Sequence, residues 1–184
     1  MRKLIYAFNL TLDGCAQHDK GYVDTELLDF YTHSLETADT FVYGRKTYQL
    51  MVPYWPSVLQ RTNESKADTD FARAFVSKKK LVFSRTLASV DDPDTRIAHG
   101  DLREEILKLK QEPGKEILVG GIDLPSQLVE FGLIDEFRFV IGTVIAGRGR
   151  RLFDNLTLPE KLRLKLIDTK VLKSGCVALH YAKQ

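Results

Sequence analysis

Short apolar runs and helix-spaced apolar stripes alternate along the first 135 residues. The apolar runs are short enough for buried strands, and they lie at residues 3–10, 40–43, 81–83, 96–98 and 117–119. Between these runs we predict helices that begin at about Asp24 and Arg45 and others that contain Phe71–Val76, Leu102–Leu109 and Leu124–Phe131. Alternating strands and helices predict an α/β fold with a mainly parallel sheet and helices on both of its faces.

The pattern changes after residue 135. Residues 136–144 predict a further strand, and residues 162–172 and 176–181 predict an antiparallel hairpin around Lys173-Ser174-Gly175. An antiparallel end on a mainly parallel sheet is a known mixed arrangement. No internal repeat or linker interrupts the chain, so we expect a single domain over residues 1–184.

The charge balance narrows the range of partners. The chain has 27 Lys and Arg against 25 Asp and Glu, a formal net charge of +2. Such a balance gives no broad basic field, so we do not expect nucleic acid as a partner. The run Lys78-Lys79-Lys80 is interpreted as a solvated helix end. No apolar segment approaches the ~20 residues of a membrane span, and because the chain goes directly into a strand pattern we expect no signal peptide.

Cysteine and histidine positions argue against disulfides and metals. Cys15 and Cys176 are far apart and show no CxxC spacing, which is typical of a reducing, cytoplasmic protein. The four histidines have no partners at metal-ligand spacing, so we expect no metal site.

One strand-to-helix junction contains Gly44, Arg45, Lys46 and Thr47. Gly44 at a strand end permits close approach of a ligand to the backbone, and the helix that follows presents free N–H groups to a phosphate. Arg45 beside a nucleotide 2′-phosphate favours NADP over NAD. The alternative is a glycine used for packing, with solvated basic side chains.

A second junction contains Gly120 and Gly121. Paired glycines permit close approach to a pyrophosphate at a helix start, although the segment is not the GxGxxG fingerprint, and packing alone is the alternative. Both junctions lie at the carboxyl ends of expected parallel strands, where open α/β sheets bind ligands. Together they predict a nucleotide site.

Several segments resemble the RibD C-terminal reductase family. Gly44–Tyr48 resembles the GR-x-T-[YW] segment that this family shares with dihydrofolate reductases. Asn9–Gly14, Leu133–Phe137 and Gly147–Phe153 resemble the family's DG loop, LIDE segment and G-x-GRRLF signature, in family order. Dihydrofolate reductases lack the GRRLF signature, so the RibD-like group is the nearer match. The resemblance implies a dihydrofolate-reductase-like three-layer sandwich with a mixed, mainly parallel sheet and an antiparallel C-terminal hairpin.

The resemblance also implies NADPH as the cofactor. Its phosphates on the adenosine side would lie near Gly44, Arg45 and Thr47, and the adenosine itself near Ser84 and Arg85. The pyrophosphate and nicotinamide portion would be lined by Gly120, Gly121, Ile122 and Asp123. Asn9 and Leu10, at the end of the first strand, would lie near the nicotinamide.

Substrate-side residues are predicted on the loop and helix after the first strand. Asp13, Asp24 and Glu26 are the candidate catalytic carboxylates, although Asp13 also suits an Asx-turn and Asp24 a helix N-cap. Phe30 shares a helix face with Glu26 and is a candidate substrate contact. Trp55 either stacks on the substrate or covers the core.

The implied activity is an NADPH-dependent reductase similar to 5-amino-6-(5-phosphoribosylamino)uracil reductase of riboflavin biosynthesis. Hydride transfer would go to a small heterocyclic or sugar-linked substrate. The bifunctional riboflavin enzymes also carry a zinc deaminase motif, H-x-E with P-C-x-x-C, which this sequence lacks. A dihydrofolate or pterin reductase and a non-catalytic NADP-binding protein of the same fold are the alternatives. The resemblance further implies a homodimer.

Overall fold

A computed structural model describes residues 1–21 and 23–184. The described residues contain eight strands, which form one sheet. In chain order these are β1 (Leu4–Leu10), β2 (Ala38–Gly44), β3 (Lys79–Phe83), β4 (Thr95–Ala98), β5 (Glu116–Val119), β6 (Glu136–Ile141), β7 (Leu164–Val171) and β8 (Val177–Lys183).

The α-helices follow the alternation that the sequence predicts, with one additional short helix. They are α1 (Thr25–Ser34), α2 (Arg45–Met51), α3 (Tyr54–Val58), α4 (Lys66–Val76), α5 (Leu102–Gln111) and α6 (Asp123–Glu130). Polar side chains begin three of them: Asp24, Ser65 and Asp101 each accept a hydrogen bond from a backbone N–H in the first turn of α1, α4 and α5. These caps satisfy donors that a helix start leaves free.

No helix in the described part of the chain combines the length and apolarity needed to cross a membrane.

The strand order is β4-β3-β2-β5-β1-β6-β8-β7. The first six strands in this order, from β4 at the edge to β6, pair in parallel with their neighbours. Strand β8 pairs antiparallel with both β6 and β7, so the C-terminal hairpin completes one edge. The mixed, mainly parallel sheet and the antiparallel C-terminal hairpin are therefore confirmed.

Helices cover both faces of the sheet, as predicted. On one face, Ile106 of α5 and Leu128 of α6 pack with Tyr6 and Phe137 in a buried cluster. On the other face, side chains of α1 and α4, including Leu28 and Phe75, pack against the sheet. Burial of these apolar faces is the main stabilising contribution to the sandwich.

One predicted strand boundary is wrong, and one short helix is additional to the prediction. The strand predicted over 136–144 ends at Ile141, where the N–H of Gly142 makes the last hydrogen bond of the ladder with β1, to the carbonyl of Leu10. Residues around Trp55 form helix α3, which the sequence did not predict. Pro56 lies in the first turn of this five-residue helix, where no intrahelical N–H is needed.

Lys80 is also not part of a solvated helix end. Its side chain is buried, and Nζ donates to the carbonyl of Val76 at 3.0 Å and lies 3.2 Å from Asp92. The reason is position in the sheet, since β3 lies between β2 and β4 and the end of α4 covers this lysine. A buried ammonium is retained only with partners such as these.

Candidate functional site

A cavity of about 560 Å³ opens at the carboxyl ends of β2, β3, β4 and β5, and we call it the strand-end cleft. Its lining contains every predicted cofactor residue except Asn9 and Leu10. These residues are Gly44, Arg45, Thr47, Ser84, Arg85, Gly120, Gly121, Ile122 and Asp123. Lys46, Phe83, Ala98, His99, Gly100, Leu102, Leu124 and Gln127 complete the lining. Parallel strands bring these loops together because all of their carboxyl ends meet at one edge of the sheet.

The wall formed by β2 and α2 is basic. Gly44 is the last residue of β2 and the extended N-cap of α2, so the chain enters the helix without a side chain at the junction. Arg45 and Lys46 follow in the first turn and are exposed to the cleft. Free N–H groups and two cations therefore lie together at this wall.

The Gly120-Gly121 turn, at the end of the neighbouring strand β5, forms the adjacent wall. Gly121 has φ +99°, and a Cβ atom there would lie 2.6 Å from Oγ1 of Thr47. A Cβ atom on Gly120 would lie 3.0 Å from a ring carbon of Tyr43. Gly121 therefore needs glycine, a side chain at Gly120 would press on the Tyr43 ring, and the turn packs directly against β2 and α2.

Tyr6 supports this turn from the core. Its hydroxyl donates to the carbonyl of Gly121 at 2.7 Å, and its ring is fully buried. Burial raises the pKa of Tyr6, so the hydroxyl keeps its proton and remains a donor. A side chain of β1 thus holds the glycine turn from the core side.

The third wall follows β3 and β4. Ser84 is buried, and its Oγ accepts hydrogen bonds from the N–H groups of Thr86 and Leu87 at 3.2 and 2.9 Å. These bonds close the turn that carries Arg85. Arg85 and His99 are exposed at this wall. Ser84 therefore shapes the wall, while Arg85 supplies a further cation.

The lining carries an excess of positive charge. Arg45, Lys46 and Arg85 are cationic, and the anionic residue of the described lining is Asp123. Asp123 forms an ion pair with Arg150, whose Nη1 lies 3.0 Å from Oδ2. Arg150 is the main cause that lowers the pKa of Asp123. Such a lining favours a polyanionic ligand.

Asn9 and Leu10 lie outside the lining of the cleft. Both are at the end of β1, where they pair with Val140 and Ile141 of β6. Asn9 accepts a hydrogen bond from the hydroxyl of Tyr31, a partly buried side chain of α1 whose pKa is raised by desolvation. Asn9 is therefore oriented by α1, one strand beyond the glycine turn of β5.

Asp13 joins two loops. Its carboxylate accepts from the Thr11 hydroxyl at 2.6 Å and from the N–H groups of Ala146 and Gly147 at 3.0 Å each. Arg151 approaches the same carboxylate at 3.3 Å. The Thr11 hydroxyl, followed by these N–H groups, lowers the pKa of Asp13 to about 2. The structure therefore uses this carboxylate to hold the loop after β6 against the loop after β1.

The other candidate carboxylates also bind backbone. Asp24 is the N-cap of α1 and accepts from the N–H of Leu27 at 2.8 Å. Glu26 accepts from the N–H groups of Lys173 and Ser174 at 3.0 Å each. These bonds start α1 and attach it to the turn of the C-terminal hairpin. Neither residue belongs to the lining of the strand-end cleft.

The two predicted aromatic contacts pack within the protein. The ring of Trp55 lies 4.4 Å from that of Phe71 and packs against the α1–α4 face of the core. Phe30 contacts the ring of Tyr31 edge to face at 5.6 Å and lies below Nζ of Lys170. Trp55 thus covers the core, and Phe30 joins α1 to β7.

Sequence reasoning did not select Lys46, His99, Gln127, Tyr6 or Arg150. Lys46 lies inside the GRKTY segment, so that motif could have indicated it. Arg150 lies inside the GRGRRLF signature, but the pattern does not reveal that its partner is Asp123, 27 residues earlier. The described residues contain no cluster of three His, Cys, Asp or Glu side chains suited to a metal ion.

The model of the RibD C-terminal domain family matches residues 2–178. The chain belongs to the RibD C-terminal domain family. The chain is also similar to the uncharacterized protein YyaP of Bacillus subtilis, with 34% identity over 184 residues, covering 98% of this chain and 94% of YyaP.

Solved structures place the RibD C-terminal domain of this chain among dihydrofolate-reductase-like folds. The Thermotoga maritima diaminohydroxyphosphoribosylaminopyrimidine deaminase/5-amino-6-(5-phosphoribosylamino)uracil reductase matches with a TM-score of 0.69 and 16% identity, over 100% of this chain and 57% of that one. Dihydrofolate reductase from Enterococcus faecalis, solved with NADP(H), matches with a TM-score of 0.64 and 13% identity, over 99% and 96% of the two chains. The predicted dihydrofolate-reductase-like sandwich is confirmed.

Proposed function

We propose that the protein is an NADPH-dependent reductase that holds its cofactor in the strand-end cleft. The observation that carries the proposal is the glycine turn at Gly120-Gly121, which packs against α2 and shares the lining of one cavity with the basic residues Arg45 and Lys46. A Cβ atom at Gly121 would collide with Thr47 Oγ1 of α2 at 2.6 Å, and the Tyr6 hydroxyl binds the turn from the core. The site thus combines close backbone approach with positive charge, the two properties that a dinucleotide pyrophosphate requires.

The cations of the lining support NADPH over NADH. Arg45 and Arg85 lie on the two neighbouring walls at the ends of β2 and β3, and both are exposed to the cleft. A guanidinium is a strong, fork-shaped donor for a phosphate dianion. We assign the 2′-phosphate of the adenosine ribose to these two side chains, with His99 at the neighbouring end of β4.

Bound NADPH supplies the hydride, and the protein supplies position and electrostatics. Asn9, oriented by the Tyr31 hydroxyl at the end of β1, is proposed to lie beside the nicotinamide portion. Because Asp13, Asp24 and Glu26 all accept backbone N–H groups, we assign them structural roles. Water is then the proposed proton source for the reduced product.

The substrate proposal follows the family. The Thermotoga neighbour is named as a reductase of a phosphoribosylamino-substituted uracil, and we propose a small heterocyclic or sugar-linked substrate for this chain. The pterin reductase alternative is less well supported. Of its two candidate acids, Asp24 caps α1 and Glu26 accepts from the N–H groups of Lys173 and Ser174, and both lie outside the cleft lining.

A turnover panel tests the proposal. Purified protein at saturating NADPH is mixed with ribosylaminopyrimidines, pterins and simple carbonyl compounds, and NADPH oxidation is followed at 340 nm. We expect oxidation with a ribosylaminopyrimidine or a related sugar-linked heterocycle. Oxidation only with a pterin, sensitive to methotrexate, would favour the alternative. NADPH binding without any turnover would favour a non-catalytic NADP-binding protein.

A further inference from the structure

The first residue of helix α6 creates an electrostatic problem for the proposed cofactor. Asp123 is separated from the glycine turn only by Ile122 and lines the strand-end cleft. It is the anionic member of the described lining, at the end of α6 that attracts anions. An unpaired carboxylate at this place would repel a pyrophosphate held by Gly120 and Gly121.

Arg150 removes this repulsion. Its guanidinium binds the Asp123 carboxylate with both terminal nitrogens, one of them at 3.0 Å. The Asp123 side chain is more exposed than that of Arg150, at 64% against 35%. Asp123 borders the strand-end cleft and also a smaller cavity of about 210 Å³, whose lining includes Arg150. The arginine therefore lies on the side of Asp123 that faces this second cavity.

The position of Arg150 is fixed by its loop. The carbonyl of Arg150 accepts from the N–H of Ala16 at 2.8 Å, and the N–H of Leu152 donates to the carbonyl of Gly14 at 3.1 Å. The Asp13 carboxylate holds the same loop through Ala146 and Gly147. The loop after β1 thus holds the arginine at the start of α6.

We propose that Arg150 is a positioning residue for the cofactor, which neutralises Asp123 so that the start of α6 accepts the pyrophosphate of NADPH. This inference rests on the proposed function. Arg150 acts through Asp123 rather than by contact with the phosphates. Removal of the arginine is therefore harmful only while Asp123 keeps its charge.

A double-mutant cycle tests this dependence. NADPH is titrated into the wild type, Arg150→Gln, Asp123→Asn and the Arg150→Gln/Asp123→Asn double variant, with quenching of Trp55 fluorescence and calorimetry as readouts. We expect Arg150→Gln to raise the Kd about threefold to tenfold, since one uncompensated charge near a phosphate is worth roughly that much in a solvated site. Asp123→Asn should bind at least as tightly as wild type, and the double variant should return to within about twofold of it.

Controls separate charge from folding. Arg148→Gln removes the same charge from the same loop at an exposed position and should leave the Kd within about twofold of wild type. The Arg150→Gln defect should shrink in 0.5 M salt, where screening weakens the repulsion. Thermal unfolding of each variant verifies that the fold is retained.

Three results would overturn the inference. The first is an Arg150→Gln variant that binds NADPH as wild type does. The second is an Asp123→Asn variant as defective as Arg150→Gln, which would make the pair a structural link. The third is a double variant that stays defective while Asp123→Asn is normal, which would mean that Arg150 contacts the phosphates directly. A wild-type chain that fails to bind NADPH overturns the proposed function, and the inference with it.

Discussion

The hydroxyl of Tyr6 donates a 2.7 Å hydrogen bond to the carbonyl of Gly121, connecting the core of the sheet to the glycine turn of the strand-end cleft. Tyr6 is fully buried, and its ring meets those of Phe139 and Phe153 edge to face. The turn itself is buried at Gly121. The geometry of the cleft therefore depends on one interior side chain of β1.

Substitution of Tyr6 by Phe tests this connection. The change keeps the ring and leaves the buried Gly121 carbonyl without its donor, which costs about 1–3 kcal/mol of unfolding free energy. We also expect weaker NADPH binding, because the turn loses its support. Urea denaturation and an NADPH titration measure the two effects. Tyr181→Phe, on β8 and outside the cleft lining, is the matched control, and equal behaviour of the two variants would contradict the account.

Substitution of Gly121 by Ala tests the close approach of the two cleft walls. The new Cβ atom would meet Thr47 Oγ1 at 2.6 Å, and the backbone would keep φ +99°. Strain of this kind costs about 1–3 kcal/mol, so we expect a destabilised protein with strongly reduced NADPH affinity. Gly100→Ala is the matched control in the same lining, because its Cβ atom would have its nearest contact at 3.4 Å, to the flexible Glu105 side chain. A Gly121→Ala variant as stable as Gly100→Ala would refute the packing argument.

The sheet and the two glycine junctions were predictable from sequence because they depend on local pattern. Apolar runs, helix spacing and glycine at strand ends are properties of adjacent residues. The fold then brings Gly44 and Gly120 together, since the carboxyl ends of parallel strands share an edge.

The roles of Asp13 and Glu26 were not predictable from sequence, because they depend on contacts between distant segments and not on local pattern. The partners of Asp13 are Ala146 and Gly147, and the partner of Glu26 is the turn at Lys173. These contacts join segments more than 130 residues apart, and no local pattern encodes them. Asp24 is different, because its bond to the N–H of Leu27 is a local N-cap, which the sequence offered as one of two interpretations.

The pH dependence of stability tests the role of Asp13. Its pKa of about 2 in the folded state lies below the value of about 3.9 expected in the unfolded chain. Asp13 therefore stabilises the fold at pH above about 4, and this contribution is lost as pH falls towards about 2. We expect Asp13→Asn to be less stable than wild type at pH 6 and the difference to shrink by pH 2.5. Urea denaturation at both pH values measures it, and a constant difference would show that the charge of Asp13 is not what stabilises the loops.

The exposed edge strand β7 is the surface at which we expect the homodimer to form. Leu166 and Ile167 are about half exposed, at 49% and 51%, and Val171 is more exposed still. An edge strand with free backbone groups and apolar side chains is a common site of association. We expect a dimer mass by light scattering at micromolar protein, and a monomer for Leu166→Lys/Ile167→Lys. A monomeric wild type would remove the homodimer from the account.

The central claim is that the strand-end cleft binds NADPH through its basic walls. The most direct measurement is a calorimetric titration of the wild-type protein with NADPH and with NADH, repeated on Arg45→Ala/Arg85→Ala. We predict tighter binding of NADPH than of NADH, by about tenfold or more for a phosphate dianion with two arginines, and loss of most of this preference in the double variant. Equal affinity for both nucleotides, or no binding of either by the wild type, would contradict it.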